Sequence, residues 1–195
     1  MARIALMIMA VVAFLSVAVT CDRADMYDLA INGPPPKSAL YLYHTNTYFN
    51  GNIGGRDELD KICFDEGIQY VALIGASNVK AFISTYPVDE MRFLIPAAYW
   101  SYPIFGLSES FIFTPIAATW YDLFDGTTIN NINSALGIEG EFWWSGSMLD
   151  GSLSNSTCNG WHDGSNHALG QIGGALINEG AAPCDMPHHI LCIAY

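Results

Sequence analysis

Five cysteines and five histidines are the residues of this 195-residue chain with the most chemistry open to them. The cysteines are Cys21, Cys63, Cys158, Cys184 and Cys192. Thiols pair in oxidising compartments, so an odd count leaves one over, and four partners allow three connectivities that spacing does not choose among. The histidines are His44, His162, His167, His188 and His189. His162 and His167 share a polar loop with Asp163, and His188-His189 precede an apolar terminal run. Zinc accepts such ligands. The spacing is not a zinc signature, however, and HExxH is absent, so no metal set is assigned and the histidines read equally as loop or strand-edge groups. Asp150, Asn155, Asn159, Asp163 and Asn166 could supply oxygens to a calcium ion, which needs several at short range. The same residue types also simply make turns.

A binding surface without metal needs other material. Trp100, Trp120, Trp143, Trp144 and Trp161 supply aromatic area. The candidate ligand-contacting residues are Trp143, Trp161, Asp150, Asn159 and Asp163, with one of the two tryptophans expected in the core and the other exposed. No nucleophile elbow, phosphate loop or His/Cys catalytic pattern is present, so no catalytic residue is assigned and the chain reads as non-catalytic. No cofactor is expected, with calcium the one candidate.

Charge narrows the partner. Seven Lys+Arg stand against 19 Asp+Glu, a formal charge of -12. This argues against nucleic acid, heparin-like polyanions and bare anionic membranes, which need clustered cations. A neutral or basic partner fits. After Arg92 there is no Lys or Arg, yet Glu109, Asp122, Asp125, Glu139, Glu141, Asp150, Asp163, Glu179 and Asp185 follow. Those carboxylates must be solvated, bonded by backbone N–H groups, or matched by a bound cation.

The elements that must position these groups follow from pattern. Residues 1–20 read as a signal peptide, with Arg3 before an apolar run from Ile4 to Val19, and an uncleaved anchor is the alternative. Cys21 stands where a lipoprotein signal places the acylated cysteine, although Thr20 makes a poor lipobox. Residues 21–37 form an acidic, Pro-rich tether, and 38–195 one domain. Ala39–Tyr43 predicts an opening strand. Arg56–Glu66 predicts a helix with Leu59, Ile62 and Cys63 on one face and Gly67 as its stop. Val79–Ser84 predicts a strand, 92–122 core-covering loops and short strands with an exposed apolar patch, and Thr119–Phe124 a short helix. The final third predicts loops closed by a central strand, Ile190–Tyr195, apolar on both faces. The class is α+β: a mixed sheet, two short helices and long loops.

Several segments, in order, resemble the endostatin module, a C-type-lectin-like fold, and its bacterial surface-protein relatives. They are YLYHTNTYFNGNIGGRDELDKICFDEG, VKAFIS, TWYDLFDG, FWWSGSMLDGSLSNSTCNGW, GQIGGALI and CDMPHHILCIAY. The resemblance implies two nested disulfides, Cys63–Cys192 and Cys158–Cys184. It does not carry over heparin binding, since Arg56 and Arg92 are the only arginines of the domain, nor endostatin's zinc site, whose N-terminal histidine cluster this tether lacks. The function expected is an exported, secreted or cell-surface adhesion module recognising an extracellular protein or glycan. A calcium-braced lectin-like carbohydrate-binding domain is the alternative.

Overall fold

A computed structural model describes residues 35–195. The signal segment, Cys21 and most of the tether lie outside the described residues. The fold turns on its last strand. β1 (Leu40–His44) and β8 (His189–Ala194) pair antiparallel, Tyr41 against Ala194 through His44 against Leu191. The other edge of β8 is shared: β5 (Trp143–Trp144) runs parallel to its start, and β2 (Val79–Ala81) antiparallel to its end. β3 (Ile104–Leu107) adds parallel to β1, and β4 (Phe113–Ala117) closes that side. β6 (Leu169–Gly173) and β7 (Gly180–Pro183) extend the other side from β5. Every residue of β8 is buried, as an apolar strand walled on both faces should be.

The first helix corrects the sequence reading. α1 runs Arg56–Ile74, 19 residues, past Gly67, and stops at Gly75, whose left-handed backbone (φ 68°) closes a bond to Val71 O. Its buried stripe is Leu59, Cys63, Gly67 and Tyr70, helical spacing on one face. Gly67 is a notch. A Cβ there would lie 2.1 Å from the Tyr43 hydroxyl, which donates to Cys63 O at 2.7 Å. Gly67→Ala must therefore displace Tyr43 and is expected to cost about 1–3 kcal/mol as an overpacked core does, despite alanine's better helix propensity. A raised or unchanged urea midpoint for this variant would contradict the notch.

Two apolar layers sandwich the sheet. Tyr41, Tyr43, Leu59, Cys63, Trp144, Trp161, Ile190 and Cys192 fill the α1 side, while Leu40, Leu42, Phe82, Trp120, Trp143, Leu191 and Ile193 fill the other. The alternation along β1 and β8 is the period-2 pattern of strands buried on both faces. The expected helix at Thr119–Phe124 is only a 3₁₀ turn, Tyr121–Leu123. A short helix, α2 (Ile132–Leu136), lies just beyond, capped by the Asn131 side chain, which accepts from Ser134 N. The 92–122 stretch does hold short strands, with Phe93, Phe111, Ile112 and Tyr121 exposed. In the final third, β6 and β7 stand within what was expected to be mainly loops.

Both disulfides are those the resemblance implies. Cys63–Cys192 joins α1 to β8 across 129 residues, and Cys158–Cys184 spans 26. Cys158 opens a third helical turn, α3 (Cys158–Trp161). It is left-handed: Cys158, Asn159, Gly160 and Trp161 have φ of 48°, 54°, 66° and 69°. The turn is closed by Trp161 N donating to Thr157 O at 2.8 Å and His162 N to Cys158 O at 3.0 Å. Non-glycine residues pay roughly 1–2 kcal/mol each for this hand, so the surroundings must hold it.

Candidate functional site

The tryptophans are structural, which corrects the expectation that one of Trp143 and Trp161 is exposed. Both are fully buried, as are Trp120 and Trp144. Each of the five indoles donates to a main-chain carbonyl: Trp100 to Ile95 O, Trp120 to Arg92 O, Trp143 to Gly174 O, Trp144 to Phe49 O and Trp161 to Ser84 O. Long loops leave carbonyls without ladder partners, and a buried acceptor must find a donor. The indole N–H supplies it from a large apolar body.

Asp163 follows directly on the left-handed turn that carries Asn159, and Asp150 belongs to another turn. Asp150 is exposed, accepts from Ser152 N at 3.0 Å and lies 3.6 Å from Arg92 Nη1. Asp163 accepts from Ser165 N at 2.8 Å. These bonds hold both carboxyls below the usual carboxylate range, through Ser152 and Ser165 respectively. Asn159, exposed on the left-handed turn, lines a shallow hollow beside Tyr86, Asn155 and His162. Among the described residues no group of three or more His, Cys, Asp or Glu is placed to hold a metal ion.

A different place gathers the chemistry. An open groove of about 600 Å³ lies where the end of β1 meets the start of β8, walled by the β3–β4 turn and by α2 with the segment after it. Antiparallel pairing brings His44 and His189 together with ring centroids 5.0 Å apart. Both rings face one carbonyl, Thr45 O, with Nδ1 at 3.0 Å (His44) and 2.7 Å (His189). A carbonyl only accepts, so each Nδ1 carries the proton and each Nε2 the lone pair. Thr45 is fixed in turn: its hydroxyl donates to Thr47 O at 2.8 Å and accepts from Ile190 N at 3.0 Å. Tyr48, half exposed, covers His189 at 4.1 Å between centroids. Glu109, Glu139 and Glu141 complete the lining, and no lysine or arginine belongs to it.

Burial holds the His189 pKa below its ordinary value, with His44 adding to the effect. His188, edge-on to Trp144 at 4.6 Å, is lowered by burial and by His189, and its Nε2 has no partner. A histidine whose pKa is lower folded than unfolded binds fewer protons in the native state. Its stabilisation is complete above the unfolded value of 6.5 and is lost as pH falls through the folded one. Melting temperature should therefore drop as pH falls below 6.5. A flat melting temperature between neutrality and the carboxylate range would contradict the two buried neutral imidazoles.

No protein-family model matches the chain, and no curated protein matches it.

Proposed function

We propose that the chain is an exported, non-catalytic recognition module that presents this groove to an extracellular protein or glycan. The two disulfides of the described residues are consistent with an extracellular setting. The fold reading is C-type-lectin-like, of the endostatin kind. It is supported by the pairing of the first and last described strands, the single long helix between them and the nested disulfides. The observation that carries the function is the groove itself: a preformed concavity lined by polar and acidic side chains, on a scaffold closed by two disulfides. The non-catalytic reading has support in Thr45, whose hydroxyl, close to both imidazoles, gives its proton to Thr47 O and accepts from Ile190 N.

The test is an array of extracellular-matrix proteins and glycans probed with the full chain, with and without EDTA, beside the Glu139→Lys/Glu141→Lys variant. We expect at least tenfold weaker binding by the variant and none of that loss from EDTA. Glycan binding abolished by EDTA would favour the calcium-braced lectin reading instead. Binding that the variant leaves intact would move the site elsewhere, and turnover of a small substrate would overturn the module reading.

A further inference from the structure

We infer that the groove takes a cationic side chain of a protein partner, a lysine ammonium or arginine guanidinium, held between the Nε2 atoms of His44 and His189 and the carboxylates of Glu109 and Glu141. This narrows the partner of the recognition module just proposed and rests on that reading.

Two ring nitrogens in the groove have no donor among the described residues. His44 and His189 are 5% and 4% exposed, and both line the groove. Thr45 O takes the proton-bearing nitrogen of each ring, leaving two lone pairs to which no described residue donates. Neither Nε2 is among the buried unpartnered atoms of the described residues, so each meets solvent in the open groove, and a ligand that donates can take the water's place. An ammonium has three donors and a guanidinium five, and neither accepts.

Charge points the same way. Glu109, on the β3–β4 turn, and Glu139 and Glu141, between α2 and β5, are exposed carboxylates, and the lining has no cation to offset them. None stands anywhere in the chain after Arg92. A concave surface of one sign raises the local concentration of the opposite sign. A neutral sugar would bring no charge to answer these carboxylates. The walls also suit a basic side chain's apolar stem, with exposed Ile112 in the lining and Tyr48 offering a ring face to a guanidinium.

Acid should release the ligand. The groups around His189 are His44 from β1, Glu109 from the β3–β4 turn, Glu141 ahead of β5, His188 beside it and the Thr45 carbonyl. Protonating the His189 imidazole turns its Nε2 into a donor and sets a positive charge against the bound cation.

The experiment titrates the ¹⁵N-labelled full chain with the N-acetyl methylamides of lysine, arginine and norleucine, and with a neutral chitin trisaccharide. Imidazole nitrogen shifts of His44 and His189 are the readout. We expect saturable shifts of both Nε2 resonances with lysine or arginine at neutral pH and none with norleucine. Affinity should weaken about tenfold or more in Glu109→Gln/Glu141→Gln, whose substituted positions are exposed, and be lost in mild acid. Equal shifts with norleucine, or unchanged affinity in the Gln variant, would overturn the inference. Shifts with the trisaccharide alone would overturn it while leaving the recognition reading intact. Silence at both histidines with every probe, and on the protein and glycan array, would sink both.

Discussion

Replacing Cys63 and Cys192 together by alanine is expected to lower unfolding free energy by about 5 kcal/mol, and the same change at Cys158 and Cys184 by about 3–4, from loops of 129 and 26 residues in the chain-entropy account. Domains of this kind have roughly 5–15 kcal/mol to lose, so the first variant approaches the point where folding fails. The two losses should also differ in kind. Cys63–Cys192 ties the helix to the central strand, so its loss loosens the sheet as a whole, including the end of β1 and β8 where His44 and His189 meet. Cys158–Cys184 pins the left-handed turn, whose φ values favour unwinding once the tie is cut. Hydrogen exchange should then rise at Trp161 and His162, whose N–H groups close that turn, while the amides of β1 and β8 keep their protection. Urea midpoints rank the pair. If the Cys63–Cys192 variant matched the parent, the covalent closure of the fold would be immaterial and the architecture would rest on packing alone.

The strands were legible where one local signal decides them. Leu40–Tyr43 and Ile190–Ala194 are short apolar runs, and both are buried strands. Gly67 was misread because a helical glycine has two uses, stop and notch. Which one applies depends on Tyr43, 24 positions earlier and on another element. The tryptophans failed as binding candidates for a related reason. An aromatic in a loop-rich chain is a contact surface or a donor to carbonyls outside the ladders, and only the tertiary positions of Ser84 and Gly174 decide.

The groove was hidden by sequence distance. Grouping histidines by loop joined His162 with His167 and His188 with His189, whereas the structure joins His44 with His189 across the β1–β8 ladder. A signal was present. The implied Cys63–Cys192 bond couples the first helix to the last strand, and antiparallel pairing of the first and last strands would set the end of one against the start of the other. Starting the last strand at Ile190 instead of His189 removed the residue that shows it.

Arg56→Ala should cost about 3 kcal/mol or more, the largest single effect of any charged side chain among the described residues. Arg56 is 16% exposed. It donates from Nε to Asp89 at 2.7 Å, and from Nη1 to Asp60 at 3.1 Å and Ala81 O at 2.8 Å, with Nη2 on Ile83 O. Asp60 in turn accepts from Ala81 N at 2.8 Å, so one guanidinium locks the start of α1 to β2 and to the bend after it. Removing it takes the guanidinium from two carboxylates that are only a quarter exposed, leaving Asp60 with Ala81 N and Lys80 and Asp89 with the Thr85 hydroxyl, and takes the side-chain donor from Ile83 O; breaking such a pair from one side costs more than the pair contributes. At this chain length the loss corresponds to a fall in melting temperature of roughly 6–12 °C. Lysine should not rescue it, because a point charge cannot replace a planar fork with four partners. The contrast is Arg92, more exposed and facing Asp150, itself 62% exposed. Screening leaves little there, so Asp150→Asn should barely move the melting temperature. Paired melts of the two variants decide the matter: equal shifts would mean that burial of the Arg56 network contributes nothing, and that α1 and β2 are joined by the apolar layer between them.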